Sequence, residues 1–222
     1  MFYDTVIFDL DGTLLDTLPD LHAAVNYALR EHSLHERSLE EIRCFVGNGI
    51  LNLIKRAVPT GCDSITTESV FECFKEYYGK HSNDMTKPYD GISELVSRLR
   101  DEGVKLGVVS NKAQFAVTEI MKHYFGNTFH IALGEREGVP RKPSPDGVYD
   151  AINVLQGEKV LYVGDSEVDV QTAVNAGLDS VMVTWGFRSV EELRAAGAAN
   201  FADTAEELYD IIKEKNDAHS NG

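Results

Sequence analysis

The sequence predicts an α/β protein. Its core is doubly wound and Rossmann-like, with a parallel five-stranded sheet, and an all-helical domain is inserted into it. Three observations lead there. Short apolar, β-branched runs alternate with amphipathic helical patterns, as parallel strands covered by helices on both faces require. That alternation stops between about residues 17 and 88, where every pattern is helical. The chain has 222 residues, 43% hydrophobic and 26% charged, enough for one sizeable core plus an insertion.

The elements follow in order. Residues 3–8, ending Val6-Ile7-Phe8, suit a buried strand that empties into Asp9-Leu10-Asp11-Gly12-Thr13. The insertion then begins. Leu18, Leu21, Val25 and Leu29 recur at helical spacing, with Asp16 or Thr17 as N-cap and Pro19 in the first turn. Ser38 and Glu41 have the spacing of a capping box ahead of Ile42 and Phe45. Ile50, Leu53, Ile54 and Ala57 form a third stretch, and Val70, Phe71, Phe74 and Tyr78 a fourth. Junctions at Asp16–Thr17 and at Lys87-Pro88-Tyr89-Asp90-Gly91 divide the chain into a core, 1–16 with 89–222, and an insert, 17–88. In the core, strands are expected over 104–109, 128–133, 159–163 and 180–184. Helices are expected over 92–102, 113–123, 145–155, 168–176 and 204–214.

Composition excludes several classes. No apolar run is long enough to cross a bilayer, and Met1-Phe2-Tyr3-Asp4 carries an acid where a secretory signal needs a basic flank. Three cysteines without Cys-x-x-Cys spacing argue against a disulfide framework and a zinc site, so a cytoplasmic protein is expected. The net charge is −15, which repels polyanions when no Lys/Arg cluster offsets it, so neither nucleic acid nor an anionic membrane is an expected partner. Residues 17–88 hold 8 Lys+Arg and 10 Asp+Glu, which leaves −13 of that charge on the core. A monomer or dimer is expected.

Four segments carry chemistry. Asp9 and Asp11 follow the first strand, at the carboxyl edge where ligands bind in open parallel sheets. At spacing i, i+2 they share one face of an extended chain, and Gly12 allows a sharp turn. An Asx-turn accounts for one Asp but poorly for two, and the glycine offset and closing Glu of an EF-hand loop are absent. Asp165 and Asp169, in Gly164-Asp165-Ser166-Glu167-Val168-Asp169, follow another apolar strand. If that strand lies beside the first, at the switch point, Asp9, Asp11 and Asp165 converge. Such a carboxylate set predicts a hard divalent ion, Mg²⁺. Asp165 or Ser166 also suits a helix N-cap. Ser110-Asn111-Lys112 follows the second strand as a candidate anion cradle or ordinary cap. Lys142, in Arg141-Lys142-Pro143-Ser144-Pro145, lies on a proline-stiffened loop where a solvated lysine is the simpler reading.

Together these segments resemble the haloacid dehalogenase superfamily, specifically its phosphatases with an α-helical cap. Asp9-Leu10-Asp11-Gly12-Thr13-Leu14-Leu15-Asp16-Thr17 matches the first motif at every position. Ser110-Asn111, Lys142-Pro143 and the segment from Gly164 to Asp169 match the other three in order. The resemblance implies that Asp9 is a nucleophile forming an aspartyl-phosphate. It implies that Asp11 protonates the leaving oxygen and then deprotonates water. It also implies that Mg²⁺ is held by the Asp9 carboxylate, the Asp11 backbone carbonyl and Asp165. Thr13, Ser110, Asn111 and Lys142 would bind the phosphoryl oxygens, and Asp169 would orient the metal shell or Lys142. The acid two residues after the nucleophile points to phosphoryl transfer rather than dehalogenation.

The insert carries Gly47-Asn48-Gly49 between two helices. A turn joining antiparallel helices explains it. In the family this loop faces the active site, and with Lys55-Arg56 and Thr184-Trp185-Gly186-Phe187-Arg188 it is similar to that of bacterial phosphoglycolate phosphatases. Asn48 would then bond a substrate carboxylate with Arg56 as cationic partner, whereas on their own Lys55 and Arg56 read as a solvated helix face. The expected substrate is a small phosphorylated metabolite, 2-phosphoglycolate first. Pyrophosphatase, sugar-phosphate or nucleotide phosphatase and β-phosphoglucomutase activities share the chemistry. A phosphonate hydrolase would need a Schiff-base lysine, for which Lys55 is the one candidate in a pattern that does not support it. A non-catalytic binding protein is the alternative outside enzymes.

Overall fold

The computed structural model describes residues 3–47 and 49–214. The chain divides into two compact units, one formed up to Leu14 and again from Pro88, the other by Leu15–Lys87. These changes fall one or two residues ahead of the junctions read from the sequence.

In the first unit β1 (Thr5–Phe8) is fully buried. The chain leaves through β2 (Leu15–Asp16) and returns through β3 (Lys87–Pro88), which pair as a two-stranded ribbon. Between them lie α1 (Leu18–Glu31), α2 (Leu39–Phe45), α3 (Ile50–Ala57) and α4 (Ser64–His81). Then follow α5 (Ile92–Asp101), β4 (Lys105–Ala113), α6 (Gln114–Phe125), β5 (Ile131–Glu135) and α7 (Asp146–Leu155). The remaining elements are β6 (Val160–Gly164), α8 (Glu167–Ala176), β7 (Asp179–Val183), α9 (Val190–Ala195), β8 (Phe201–Ala202) and α10 (Ala205–Glu214).

The main sheet has six strands in the order β5-β4-β1-β6-β7-β8, all pairs parallel, rather than five. The extra strand is the two-residue β8, too short to leave an apolar run in the sequence. Residues 128–130 form no strand; β5 begins at Ile131, and the segment before it turns, with Thr128 N–H donating to Phe125 O at 3.0 Å. Order reverses at β1, which lies between β4 and β6, so the switch point falls where the first strand ends. Ile7, Val109, Val148, Ala151, Leu155 and Tyr162 pack into one core cluster against α7 on one face of this centre.

The helical unit closes on α1 and α4. Ser38 and Glu41 form the expected capping box. Thr17 is the N-cap of α1 but makes no side-chain bond; Asp16 Oδ1 instead accepts from Leu18 N–H at 3.3 Å. Val70 and Phe74 are fully buried, whereas Phe71 is half-buried. One polar tie was not legible in the sequence. Asp20, 1% exposed, accepts from the Met85 and Thr86 amides and from Thr86 Oγ1 at 2.7–3.1 Å. It binds the start of the unit to its end.

Asp20→Ala removes the acceptor these donors share and should destabilise the protein by about 2–4 kcal/mol. That appears as a fall of several degrees in Tm by differential scanning calorimetry, and no fall would contradict the assignment.

Candidate active site

Parallel strands end at one edge, and three of them deliver the chemistry. Asp9 follows β1 and extends its pairing, its amide donating to Val163 O at 2.8 Å. Phe8 is in register with Val108 of β4 and Val163 of β6, so the residues just beyond these positions share the same edge. Ser110, still within β4, and Asp165, just past β6, therefore come to the edge where Asp9 lies, all three buried.

Lys142 arrives from the loop before α7. Its backbone is gripped by the Asn111 side chain, whose Nδ2 donates to Lys142 O at 3.1 Å and whose Oδ1 accepts from Lys142 N–H at 2.9 Å. Asn175 Nδ2 holds Pro143 O at 2.8 Å. So the loop is pinned, and the lysine is buried rather than solvated. Its ammonium donates to Asp9 Oδ1 at 2.5 Å, Asp169 Oδ1 at 2.8 Å and the Tyr162 hydroxyl at 3.1 Å.

Asp169 is committed on both oxygens. Oδ1 receives Lys142 and the Tyr162 hydroxyl, the latter at 2.9 Å. Oδ2 receives Ser166 Oγ at 2.6 Å and the amides of Ser166 and Asp165 at 3.1 and 3.3 Å. Ser166 is the N-cap of α8, and Asp169 completes its capping box.

Asp165 is held differently. Thr13 Oγ1 donates to its Oδ1 at 3.3 Å, and Phe187 N–H to its Oδ2 at 2.7 Å. Trp185 Nε1 donates to Thr13 O at 3.0 Å, which ties the 185–187 loop to the first turn. Two glycines make room for this carboxylate. A Cβ on Gly12 would come within 2.3 Å of Asp165 Oδ2, and one on Gly186 within 2.3 Å of Asp165 Cβ. Gly12 also has φ +90°, a left-handed backbone that few other residues adopt.

The carboxyls of Asp9, Asp165 and Asp169 each offer an oxygen within 4.8 Å of the others. Burial and the charge of Asp169 and Asp9 push the Asp165 carboxyl well above its ordinary value. Burial also raises Asp9, against the pull of Lys142, to about 7. Asp169 behaves oppositely: burial would raise it, but the charge and hydrogen bond of Lys142 outweigh that and hold it low. Burial would lower Lys142, yet Asp169 and Asp9 keep it well above the usual amine range. One ammonium thus serves Asp169 first, and Asp9 and Asp165 remain short of positive charge.

The other expected site residues make contacts of their own. The Asp11 carboxylate is outside the three-carboxyl group and pairs with Lys112 Nζ at 3.0 Å. Thr13 gives its hydroxyl to Asp165, and Ser110 Oγ accepts from Lys112 N–H at 3.1 Å. Arg56 is exposed and donates to Phe45 O at 2.8 Å, within its own unit. Gly47 and Gly49 have φ of 111° and 86°, as a turn between helices needs; Asn48 lies outside the described residues. Tyr162 is a site component not singled out from the sequence, and Lys112 and the 185–187 loop, read there within longer segments, are given no role of their own. Tyr162 carried only the signal of a buried strand, and Lys112 that of a cap.

Residues 6–183 match the profile of the haloacid dehalogenase-like hydrolases. The chain belongs to this family. Among its relatives is a phosphoglycolate phosphatase of Cereibacter sphaeroides, 37% identical over 94% of this chain and 97% of its own length. Another, from Rhodobacter capsulatus, bears the same name and is 32% identical over 89% and 92%. A crystal structure from Lactobacillus delbrueckii subsp. bulgaricus, described as a candidate phosphoglycolate phosphatase, superposes with a TM-score of 0.90. It is 38% identical over 96% of this chain and 99% of that one. Among the described residues no helix is long and apolar enough to cross a membrane.

Haloacid dehalogenase-like hydrolases generally use Mg²⁺, and the donor set here could hold a divalent ion. Asp165 is buried with no cation beside it, and Asp9 shares its one ammonium with Asp169, so the pair offers oxygens short of positive charge, as a hard cation demands. Asp169, saturated by protein donors, is suited to holding Lys142. The Asp165 carboxylate is therefore a cost to the fold when no cation compensates it. Asp165→Asn should leave Tm in EDTA unchanged or a few degrees higher than wild type. It should also abolish the rise in Tm that Mg²⁺ gives wild type, as differential scanning fluorimetry would show. A large loss of stability in EDTA would contradict this account.

Proposed function

We propose that the chain is a Mg²⁺-dependent phosphomonoesterase that works through an aspartyl-phosphate on Asp9, with 2-phosphoglycolate as its substrate. The observation that carries this reading is the buried Asp9–Lys142 pair beside Asp165 at the switch point. The names of the relatives supply the substrate.

Asp9, Asp165 and the backbone carbonyl of Asp11 would hold Mg²⁺, which when bound offsets the repulsion between an anionic nucleophile and an anionic phosphate. An Asp9 oxygen attacks phosphorus as the ester P–O bond breaks, and Asp11 gives the leaving oxygen its proton, releasing the alcohol. Asp11 then takes a proton from water, whose oxygen attacks the same phosphorus. The Asp9–phosphorus bond breaks, and phosphate leaves. Lys142 orients Asp9 and meets the charge on the equatorial oxygens, with Ser110 beside it. Lys112 fixes the Asp11 side chain at the rim. Asn111 acts through the Lys142 backbone. The helical unit is read as the cap. Three free cysteines suit a reducing, cytoplasmic setting.

The experiment is a steady-state panel of 2-phosphoglycolate, sugar phosphates, nucleotides, pyrophosphate and p-nitrophenyl phosphate, with Mg²⁺ and with EDTA. The highest kcat/KM is expected for 2-phosphoglycolate. Activity should be lost in EDTA, and Asp9→Asn should lower it by at least about 10³-fold. A preference for sugar phosphates would overturn the substrate, and activity in Asp9→Asn near that of wild type would overturn the mechanism.

A further inference from the structure

The Lys142 ammonium has three protons to donate, and three acceptors meet it. Two are carboxylates, and the third is the Tyr162 hydroxyl at 3.1 Å. The proposed chemistry gives the carboxylates work, but it does not call on the phenol.

The position of Tyr162 follows from strand register. It pairs with Ile7 in the parallel ladder of β1 and β6, so the two side chains share a face of the sheet. Ile7 and Asp9 are two residues apart in extended chain and share that face as well. Tyr162 therefore stands on the same side as Asp9, one pleat deeper. Its ring packs in the core cluster with Ile7, Val148, Ala151 and Leu155, and the residue is 0% exposed. Only its oxygen reaches the cleft, where it accepts from Lys142 and donates to Asp169 Oδ1 at 2.9 Å.

A phenylalanine would fill the same core volume without a polar atom to satisfy, and burying a hydroxyl is unfavourable unless it is bonded. Here the hydroxyl closes a triangle. Asp169 Oδ1 receives both Lys142 and Tyr162, and Tyr162 in turn receives Lys142. Two acceptors alone leave a flexible amine free to rotate about the line between them; a third removes that freedom.

We propose that the Tyr162 hydroxyl is a positioning group for phosphoryl transfer. It completes the acceptor set of the Lys142 ammonium and so fixes the direction in which Lys142 meets Asp9. The proposal rests on the phosphatase reading for its kinetic consequence but not for its geometric one. Because Lys142 bonds the attacking carboxylate itself, loosening it disturbs the approach of Asp9 to phosphorus more than the capture of substrate. The effect belongs in kcat.

The test compares wild type, Tyr162→Phe and Tyr3→Phe. Tyr3 makes the control because it also buries a hydroxyl bonded to an aspartate, Asp179 at 2.7 Å, at the opposite edge of the sheet. With p-nitrophenyl phosphate and Mg²⁺, Tyr162→Phe should lower kcat about tenfold, while KM changes less than about twofold. Tyr3→Phe should keep kcat within about twofold of wild type even if its Tm falls.

A second readout does not depend on turnover. The Lys142 ammonium, assigned in ¹H–¹⁵N spectra by its loss in Lys142→Met, should exchange its protons with solvent at least about tenfold faster in Tyr162→Phe. Unchanged exchange would overturn the proposal whatever the activity. Unchanged kcat in an active enzyme would also overturn it. Faster exchange in a chain whose wild type hydrolyses no phosphate ester would uphold the geometry and defeat the phosphatase reading instead.

Discussion

Burying the Lys142 ammonium strips it of the water that would solvate a free amine, and only well-placed acceptors can replace that water. Asp169 does so with an oxygen that is itself fixed by Tyr162, and Asp9 with an oxygen at the end of the central strand. The segment before α7 is pinned by Asn111 and Asn175 so that the lysine enters from one direction. The remaining buried carboxyl, Asp165, is given no such cation. The cleft therefore concentrates more negative charge than its one lysine balances, and that imbalance is what a divalent ion would exploit.

The fold creates this arrangement through few features. A parallel sheet gathers the ends of its strands at one edge, and the reversal of order at β1 opens a crevice between neighbouring connections. Close approach does the rest. Gly12 and Gly186 bring the backbones of two loops against Asp165, where a methyl group on either would collide with it. The indole of Trp185 then ties those loops together through Thr13 O. Rigidity here comes from packing and hydrogen bonds around the charged groups, which suits a reaction that depends on orientation.

Most of this architecture was legible in the sequence, for identifiable reasons. The buried strands ending at Phe8 and Gly164 are apolar on both faces, and each empties into Asp-containing turns, so Asp9 and Asp165 could be placed at one edge. The capping box at Ser38 and Glu41 announced α2. What escaped detection lacked a periodic or local signal. β8 is two residues long, and α9 is six, although Ser189 and Glu192 at capping-box spacing were a usable hint. Tyr162 read as core because its ring is core; only the third dimension shows where its oxygen points. Lys142, taken alone, reads as a solvated loop residue because burial of a lysine depends on acceptors far away in the chain, and only its match to the family's motif gives it a role at the site. The direction of Asp11 toward Lys112 rests on a contact across 101 positions, which no spacing rule encodes.

Asp169 is at once the N3 partner that starts α8 and the carboxylate that receives Lys142. The two duties use different oxygens of one side chain, so neither can be altered without touching the other. A substitution there would fray the beginning of a helix and release a charged amine together. A chain that is inactive there but equally well folded is therefore hard to reach by a single change at this position, because one carboxylate serves both the helix and the lysine.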